Sequence, residues 1–146
     1  MLNGVTKLNL DSKGRLAIPS RYRDYLINEC AGRLVITMNN EQRLIIYPVS
    51  EWEIVEKKLS ALSDFKKAEV YIKRLYLGHA EKSDMDKNGR ITITPFLRNK
   101  ANLEKEIVLM GVGNKFEIWD QASWTDEWES DELELEITES LEELSL

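Results

Sequence analysis

The sequence predicts an α+β fold in which two copies of one β-rich unit share a core, with helices between them and after them. Three observations lead to this prediction. A segment of about 50 residues occurs twice, each copy alternates polar and apolar residues as half-buried strands do, and an apolar stripe at helical spacing separates the copies. The hydrophobic fraction of 42% over 146 residues is enough to bury such a core.

The two copies align at a constant offset of 75 residues. The stretch NLDSKGRLAIPSRYR, residues 9–23, lies over DMDKNGRITITPFLR, residues 84–98. The shared positions include an aspartate, a glycine and an arginine: Asp11 with Asp86, Gly14 with Gly89, and Arg15 with Arg90. Later segments continue the match with small gaps. Because several matches occur in the same order, we interpret the chain as an internal duplication.

Each copy begins with a predicted β-hairpin. In the first copy, KLNL and RLAI alternate on either side of the turn Asp11-Ser12-Lys13-Gly14. Aspartate suits the first position of a type I turn, and glycine suits the left-handed position that closes a three-residue loop. The segment Asp86-Lys87-Asn88-Gly89 repeats this chemistry. We therefore expect a second hairpin there.

A short helix and two strands complete each copy. The helix is predicted to start at Pro19-Ser20 in the first copy and at Thr94-Pro95 in the second, where Thr94 suits the N-cap and Pro95 the first helical position. The strands are LVITM and LIIYP in the first copy, and IVLMG and FEIWD in the second. A turn at 112–114 joins the second pair.

The connecting segment, residues 50–77, is predicted to form two helices. Ser50 and Glu53 are spaced as a capping box, and Asp64 could cap the second helix, which Gly78 would end. The apolar positions of the first helix are Trp52, Val55, Leu59 and Leu62. We divide the chain into a first unit 1–52, a helical connection 53–80, a second unit 81–124 and an acidic tail 125–146.

Charge is distributed unevenly along the chain. Residues 1–100 carry 18 Lys and Arg against 12 Asp and Glu, whereas residues 101–146 carry 2 against 14, which gives the net charge of −6. A basic body followed by an acidic tail suggests an anionic partner such as nucleic acid. The alternative is a mixed solvated surface with a solubilising tail.

Other classes of function have little support in the sequence. Cys30 is the only cysteine, so no internal disulfide can form, and we expect this residue to be buried. The first residues resemble no signal peptide, and no apolar run would span a membrane. His79, the only histidine, is interpreted as structural. We therefore predict a cytoplasmic protein that is not an enzyme and needs no cofactor.

One stretch imitates a calcium site. In SDMDKNGRITI, the residues Asp84, Asp86, Asn88 and Gly89 match the start of an EF-hand loop. The twelfth position of that loop requires a carboxylate, and here it is Pro95. The positions shared with the first copy are those that build the turn, so we expect no metal site.

Several motifs together resemble the MraZ family of bacterial transcriptional regulators. They are the two D-x-x-x-R segments, Asp11–Arg15 and Asp86–Arg90, with NLDSKGRLAIP, YPVSEWE, LGHA and NKFEIWD. The resemblance implies two SpoVT/AbrB-like swapped-hairpin units in one chain, assembly into a homo-oligomeric ring, and a nucleoid-associated repressor of its own promoter. It also implies binding to short direct repeats of double-stranded DNA upstream of the division and cell-wall operon. One departure is Asn3, where the family suggests arginine.

The first hairpin carries the predicted DNA-binding residues. A two-stranded ribbon fits the major groove, where Arg15 could bind guanine and Lys13, at the tip, a phosphate. Arg21 and Arg23, at the start of the following helix, could add phosphate contacts. The alternative for Arg15 is an ion pair with Asp11 across the turn.

The second hairpin is predicted to serve packing and assembly. We prefer the ion-pair interpretation for Arg90, because Phe96 and Leu97 stand where the first copy has Arg21 and Tyr22. In this interpretation Asp11, Gly14, Asp86 and Gly89 build the two turns. The competing hypothesis for the whole chain is an oligomeric protein-interaction module that does not bind DNA.

Overall fold

The computed structural model describes residues 1–127 and 133–146. These residues form eight strands and six helices. In chain order they are β1 (Leu2–Asn9), β2 (Arg15–Ala17), α1 (Ser20–Cys30), β3 (Leu34–Met38), β4 (Leu44–Pro48), α2 (Val49–Ser60), α3 (Lys67–Tyr76), β5 (Glu81–Lys82), β6 (Arg90–Thr92), α4 (Pro95–Lys100), β7 (Glu106–Gly113), β8 (Phe116–Asp120), α5 (Gln121–Glu127) and α6 (Glu134–Glu143). The predicted α+β class is confirmed.

Both copies contribute to one central sheet. Its six strands follow the order β1-β7-β8-β4-β3-β5, and all neighbours are antiparallel. The first copy supplies β1, β3 and β4, and the second supplies β5, β7 and β8. Strands β2 and β6 form a separate two-stranded ribbon. The two repeated units therefore share one β core.

The local hairpins predicted from alternation are wrong in their pairing. Strand β1 pairs with β7, in a register that places Leu2 opposite Gly113, and β2 pairs with β6. The intervening turn still forms, because Gly14 N–H donates to the Asp11 carbonyl at 3.0 Å. Alternation depends on which face is buried, not on which strand lies beside it. The alternation therefore predicted the strands correctly, but it did not predict which strand pairs with which.

The sheet is buried on both faces at β3 and β4. Alternate residues of these strands point to different cores: Leu34, Ile36, Leu44 and Ile46 join the main core, whereas Val35, Ile45 and Tyr47 pack beneath α2 and α3. Strands buried on both faces have continuous apolar runs. This explains why LVITM and LIIYP were easy to identify, and their predicted bounds are confirmed.

Helix starts were predicted less well. The Thr94 cap is confirmed, since its Oγ1 accepts from Leu97 N–H at 3.4 Å and Pro95 is the first helical residue. Ser50 is not a cap, because α2 begins at Val49 directly after β4. Asp64 is not a cap either: α3 begins at Lys67, and Asp64 pairs with Lys73 Nζ at 2.6 Å.

The remaining structural predictions concern single side chains and the tail. Cys30 is buried and its Sγ donates to the Leu26 carbonyl at 3.1 Å. His79 Nδ1 lies 2.8 Å from the Leu75 carbonyl oxygen. The predicted tail contains α6, while its residues 128–132 lie outside the described residues. None of the described helices has the length and apolar character needed to cross a bilayer.

Candidate nucleic-acid interface

The two repeated turns lie at opposite ends of one ribbon. Strands β2 and β6 pair Arg15 with Thr92, Leu16 with Ile91 and Ala17 with Arg90. At the ends, Ile93 N–H donates to the Gly14 carbonyl and Ile18 N–H to the Gly89 carbonyl, each at 2.9 Å. A single chain therefore presents both D-x-x-x-R turns on one continuous surface.

The ribbon has an apolar inner face and a basic outer face. Leu16 and Ile91 are each 1% exposed and join the main core. Because side chains alternate along a strand, the other face carries Arg15, Ala17, Arg90 and Thr92, which are partly or fully exposed. Small residues alternate with arginines there. This arrangement leaves room for the ribbon to approach another surface closely.

The Asp11 carboxylate organises the first turn. Its Oδ1 accepts from the backbone N–H groups of Lys13 and Arg15, both at 2.9 Å, and its Oδ2 accepts from Arg15 Nε at 2.7 Å. Gly14 has φ +76°, a conformation that suits glycine. The turn thus fixes the Arg15 guanidinium and leaves Lys13 exposed at the tip.

The second turn repeats the first closely. Asp86 Oδ1 accepts from Asn88 N–H at 2.8 Å and from Arg90 N–H at 2.9 Å, and Oδ2 accepts from Arg90 Nε at 3.1 Å. Gly89 has φ +73°. The ion pair considered for Arg15 and preferred for Arg90 therefore exists in both turns. The geometry of the turns does not distinguish the two arginines.

An ion pair through Nε is compatible with contact to another molecule. A guanidinium has five N–H donors in a planar fork, and the bond to the aspartate uses the single donor on Nε. The two terminal nitrogens can meet a base or phosphate while the turn holds the plane of the fork. Both arginine side chains are partly exposed, at 27% for Arg15 and 33% for Arg90.

The turns also change the acidity of their aspartates. Hydrogen bonding, first from the Arg15 backbone N–H, lowers the pKa of the Asp11 carboxyl to about 2. The backbone N–H of Arg90 likewise lowers the pKa of Asp86. Both carboxylates are therefore charged at neutral pH, and each partly offsets the positive charge of its own arginine.

We expect Asp11 to remain ionised well into the acidic range. Since its folded-state pKa is lowered to about 2, the stability that its ionised form contributes is fully present above the ordinary aspartate value of about 3.9 and is lost as the pH falls further. A ¹³C NMR titration of the side-chain carboxyl should be flat from about pH 7 down to about pH 4. Asp11→Asn identifies the signal. A midpoint at or above the ordinary value would contradict the turn geometry.

Arg23 and its counterpart Arg98 lie behind the turns. Arg23 Nε donates to the Ile18 carbonyl at 2.7 Å, and a Cβ added at Gly89 would lie only 2.4 Å from that nitrogen. Arg98 Nε donates to the Ile93 carbonyl at 3.1 Å and packs in the same way against Gly14. Each helix arginine therefore supports the turn of the other copy.

Arg21 lies beside β1, next to the first residues of the chain. Its Nη2 donates to Thr6 Oγ1 at 2.5 Å and to the Tyr22 hydroxyl at 2.9 Å. The Tyr22 hydroxyl in turn donates to the Asn3 carbonyl. Of the four predicted DNA-binding residues, Lys13 and Arg15 therefore share the first turn, whereas Arg21 and Arg23 lie elsewhere.

Sequence reasoning overlooked Arg98 and Lys87. The offset of 75 already aligned Arg98 with Arg23, but only a structure reveals that both pack behind a turn. Lys87 is exposed at the second tip. Two aspartates of the EF-hand-like stretch have structural roles: Asp86 closes its turn, and Asp84 Oδ1 accepts from Leu34 N–H at 3.3 Å. Within the described residues, no group of three or more metal-binding side chains comes together.

Comparison with known proteins identifies close relatives. A family model described as "MraZ protein, putative antitoxin-like" matches residues 1–75 and again residues 76–144. The chain is 47% identical to the transcriptional regulator MraZ of Klebsiella pneumoniae (strain 342) and 46% identical to that of Halorhodospira halophila, over 100% of both chains in each case. It is 50% identical to the transcriptional regulator MraZ of Enterobacter sp. (strain 638), over 85% of this chain and 82% of the relative.

Proposed function

The chain belongs to the MraZ family of transcriptional regulators, and from this premise we propose that it represses its own promoter by binding DNA. The target is a set of short direct repeats upstream of the division and cell-wall operon. The protein acts in the cytoplasm, on the nucleoid, as a homo-oligomeric ring.

The observation that carries this proposal is the β2–β6 ribbon with its two turns. The major groove of B-DNA, about 12 Å wide, admits a two-stranded ribbon. The outer face offers Arg15 opposite Thr92 at one end, and Arg90 opposite Ala17 at the other. An arginine fork can bind guanine O6 and N7 together, and the threonine methyl can contact thymine.

Base reading is assigned to Arg15 and phosphate binding to the tip lysine. The bond from Arg15 Nε to Asp11 holds the guanidinium in place, so less side-chain freedom is lost when DNA binds. Lys13, exposed at the tip, suits a phosphate as a flexible point charge. Arg21 borders the ribbon's neighbour β1 and extends the basic surface, while Arg23 acts from behind the second turn.

Assembly explains why the operator consists of direct repeats. A ring is built from head-to-tail contacts, so neighbouring subunits present equivalent surfaces in the same sense. A single ribbon buries little surface on DNA and binds weakly. When several ribbons are linked in one ring, binding of the first raises the effective concentration of the others at the neighbouring repeats. Binding therefore requires several adjacent subunits on adjacent repeats.

We expect operator binding to weaken steeply with salt. If about four phosphates are neutralised, affinity should fall roughly 100-fold between about 50 and 200 mM salt. Fluorescence anisotropy with a duplex from the chain's own upstream region measures this slope. A duplex of the same composition with shuffled repeats is the control.

Equal affinity for both duplexes would refute sequence-specific recognition. If neither duplex binds, the chain is better described as an oligomeric protein-interaction module. The salt dependence of DNA affinity also separates the two hypotheses, because a module that binds only other proteins has no phosphate contacts for salt to weaken.

A further inference from the structure

The C-terminal helix α6 has an apolar stripe that nothing covers among the described residues. Every side chain from Leu133 to Leu146 is exposed. One side of the helix carries four large apolar residues at spacings of four, four and three: Leu133, Ile137, Leu141 and Leu144. This spacing places them in one narrow stripe along the helix. The stripe is the kind of surface that packs against a partner.

Acidic residues flank this stripe and give the helix its charge. Residues 133–146 contain five glutamates and no lysine or arginine. Helices of about ten residues are marginal in water without tertiary contacts. Glu142 and Glu143 lie in the last turn, where negative charge is unfavourable to the helix dipole. Both features make α6 marginal on its own, so contact with a basic and apolar surface would stabilise it.

Such a surface lies between α3 and α4. We name it the aromatic–basic patch and define it as Tyr71, Arg74, His79, Phe96 and Lys100. His79 stacks on Phe96 with ring centroids 5.9 Å apart, and Lys100 Nζ lies 5.8 Å from the Phe96 centroid. Phe96 is 52% exposed, which is unusual for a phenylalanine in a packed domain.

The patch also borders a cleft whose chemistry complements α6. A cleft of about 330 Å³ is lined by four patch residues, Tyr71, Arg74, His79 and Lys100, with Met38 and Leu75 beside them. Its lining contains no carboxylate. Among the described residues, no carboxylate forms an ion pair with Arg74 or Lys100. The patch thus offers two cations and exposed aromatic rings to an acidic, apolar helix.

We propose that α6 of one copy docks on the aromatic–basic patch of a second copy of this chain. The leucine and isoleucine side chains would cover Tyr71 and Phe96, and the flanking glutamates would pair with Arg74 and Lys100. Because helix and patch are different surfaces, the contact is heterologous and can repeat from copy to copy until a ring closes. The inference rests on the proposed self-assembly, and it names the surfaces that carry it.

Self-association of the full chain tests the helix side. We expect Leu141→Asp to raise the concentration at which the oligomer dissociates at least tenfold in light-scattering chromatography. The matched control is Leu135→Asp, on the opposite side of α6 and 76% exposed, which should assemble as wild type does. Both sites are exposed, so neither variant endangers the fold. Wild-type assembly by Leu141→Asp would overturn the proposal.

Charge reversal tests the patch side. The double variant Arg74→Glu with Lys100→Glu should dissociate like Leu141→Asp, and adding Glu136→Lys with Glu143→Lys should restore assembly. If the double variant lowers DNA affinity while assembly is unchanged, the patch is a DNA surface and the proposal fails. If wild type binds its operator but Leu141→Asp still assembles, the proposed function stands and only this inference falls.

Cross-linking decides which copy supplies the helix. Phe96→Cys and Ile137→Cys chains, mixed and oxidised under native conditions, should form a disulfide between chains. The native Cys30 is buried and does not compete. A disulfide that forms only within a chain carrying both substitutions would place α6 on its own patch and overturn docking between copies.

Discussion

Arg15→Ala is expected to abolish repeat-specific DNA binding while the protein remains folded and assembled. A bidentate arginine–guanine contact is worth about 1–3 kcal/mol of discrimination, and several linked ribbons multiply the loss. The turn survives, because Asp11 Oδ1 still accepts from the backbone N–H groups of Lys13 and Arg15. Anisotropy titration with the operator duplex measures the loss, and thermal unfolding checks the fold.

The repeat supplies a matched control for this experiment. Arg90→Ala removes the same ion pair from a turn of the same geometry, so any general effect of disturbing a turn appears in both variants. If the first turn recognises the bases, Arg90→Ala should weaken specific binding much less than Arg15→Ala does. Undiminished binding by Arg15→Ala would overturn the assignment of Arg15, whereas equal losses would show that both ends of the ribbon read DNA.

Phe116→Ala is expected to have the largest effect on stability. Phe116 is 0% exposed and meets Tyr22 edge-on, with ring centroids 5.0 Å apart. It lies on β8, opposite Ile46 of β4 and Gly111 of β7, where strands of both copies meet. Truncating a buried phenylalanine costs about 3–5 kcal/mol, from lost burial and from the cavity left behind.

Chemical denaturation at a fixed protein concentration measures this cost, since assembly would otherwise shift the apparent stability. Phe65→Ala is the control, because Phe65 is 95% exposed and its truncation should change the free energy of unfolding by less than about 0.5 kcal/mol. Similar denaturation midpoints for the two variants would contradict the placement of Phe116 in the shared core.

The sequence predicted those features that depend on local chemistry. The doubly buried strands β3 and β4 appear as apolar runs, and Thr94 followed by Pro95 marks a helix start on its own. The Ser50 cap failed because β4 continues to Pro48 and the chain enters α2 immediately. The prediction that Asp64 caps α3 was wrong, because its carboxylate pairs with Lys73 of that helix instead.

The candidate site was predictable only in part. The turn residues followed from the repeat, since aspartate and glycine have defined roles in such turns. The position of Arg23 did not, because its contact with Gly89 joins residues that are far apart in sequence. Nothing local distinguishes an arginine that projects into solvent from one that supports a distant turn.

The exchange of strands between copies has a consequence for how the chain folds. Strand β1 pairs Leu2 with Gly113, and β2 pairs Arg15 with Thr92, so neither strand can pair until these distant residues are present. Such a high contact order predicts slow folding. During synthesis the first half leaves the ribosome with β1 and β2 unpaired, as open edges. Neither half can therefore pair its own β1 or β2, and the native sheet and ribbon form only after β6 and β7 have been synthesised.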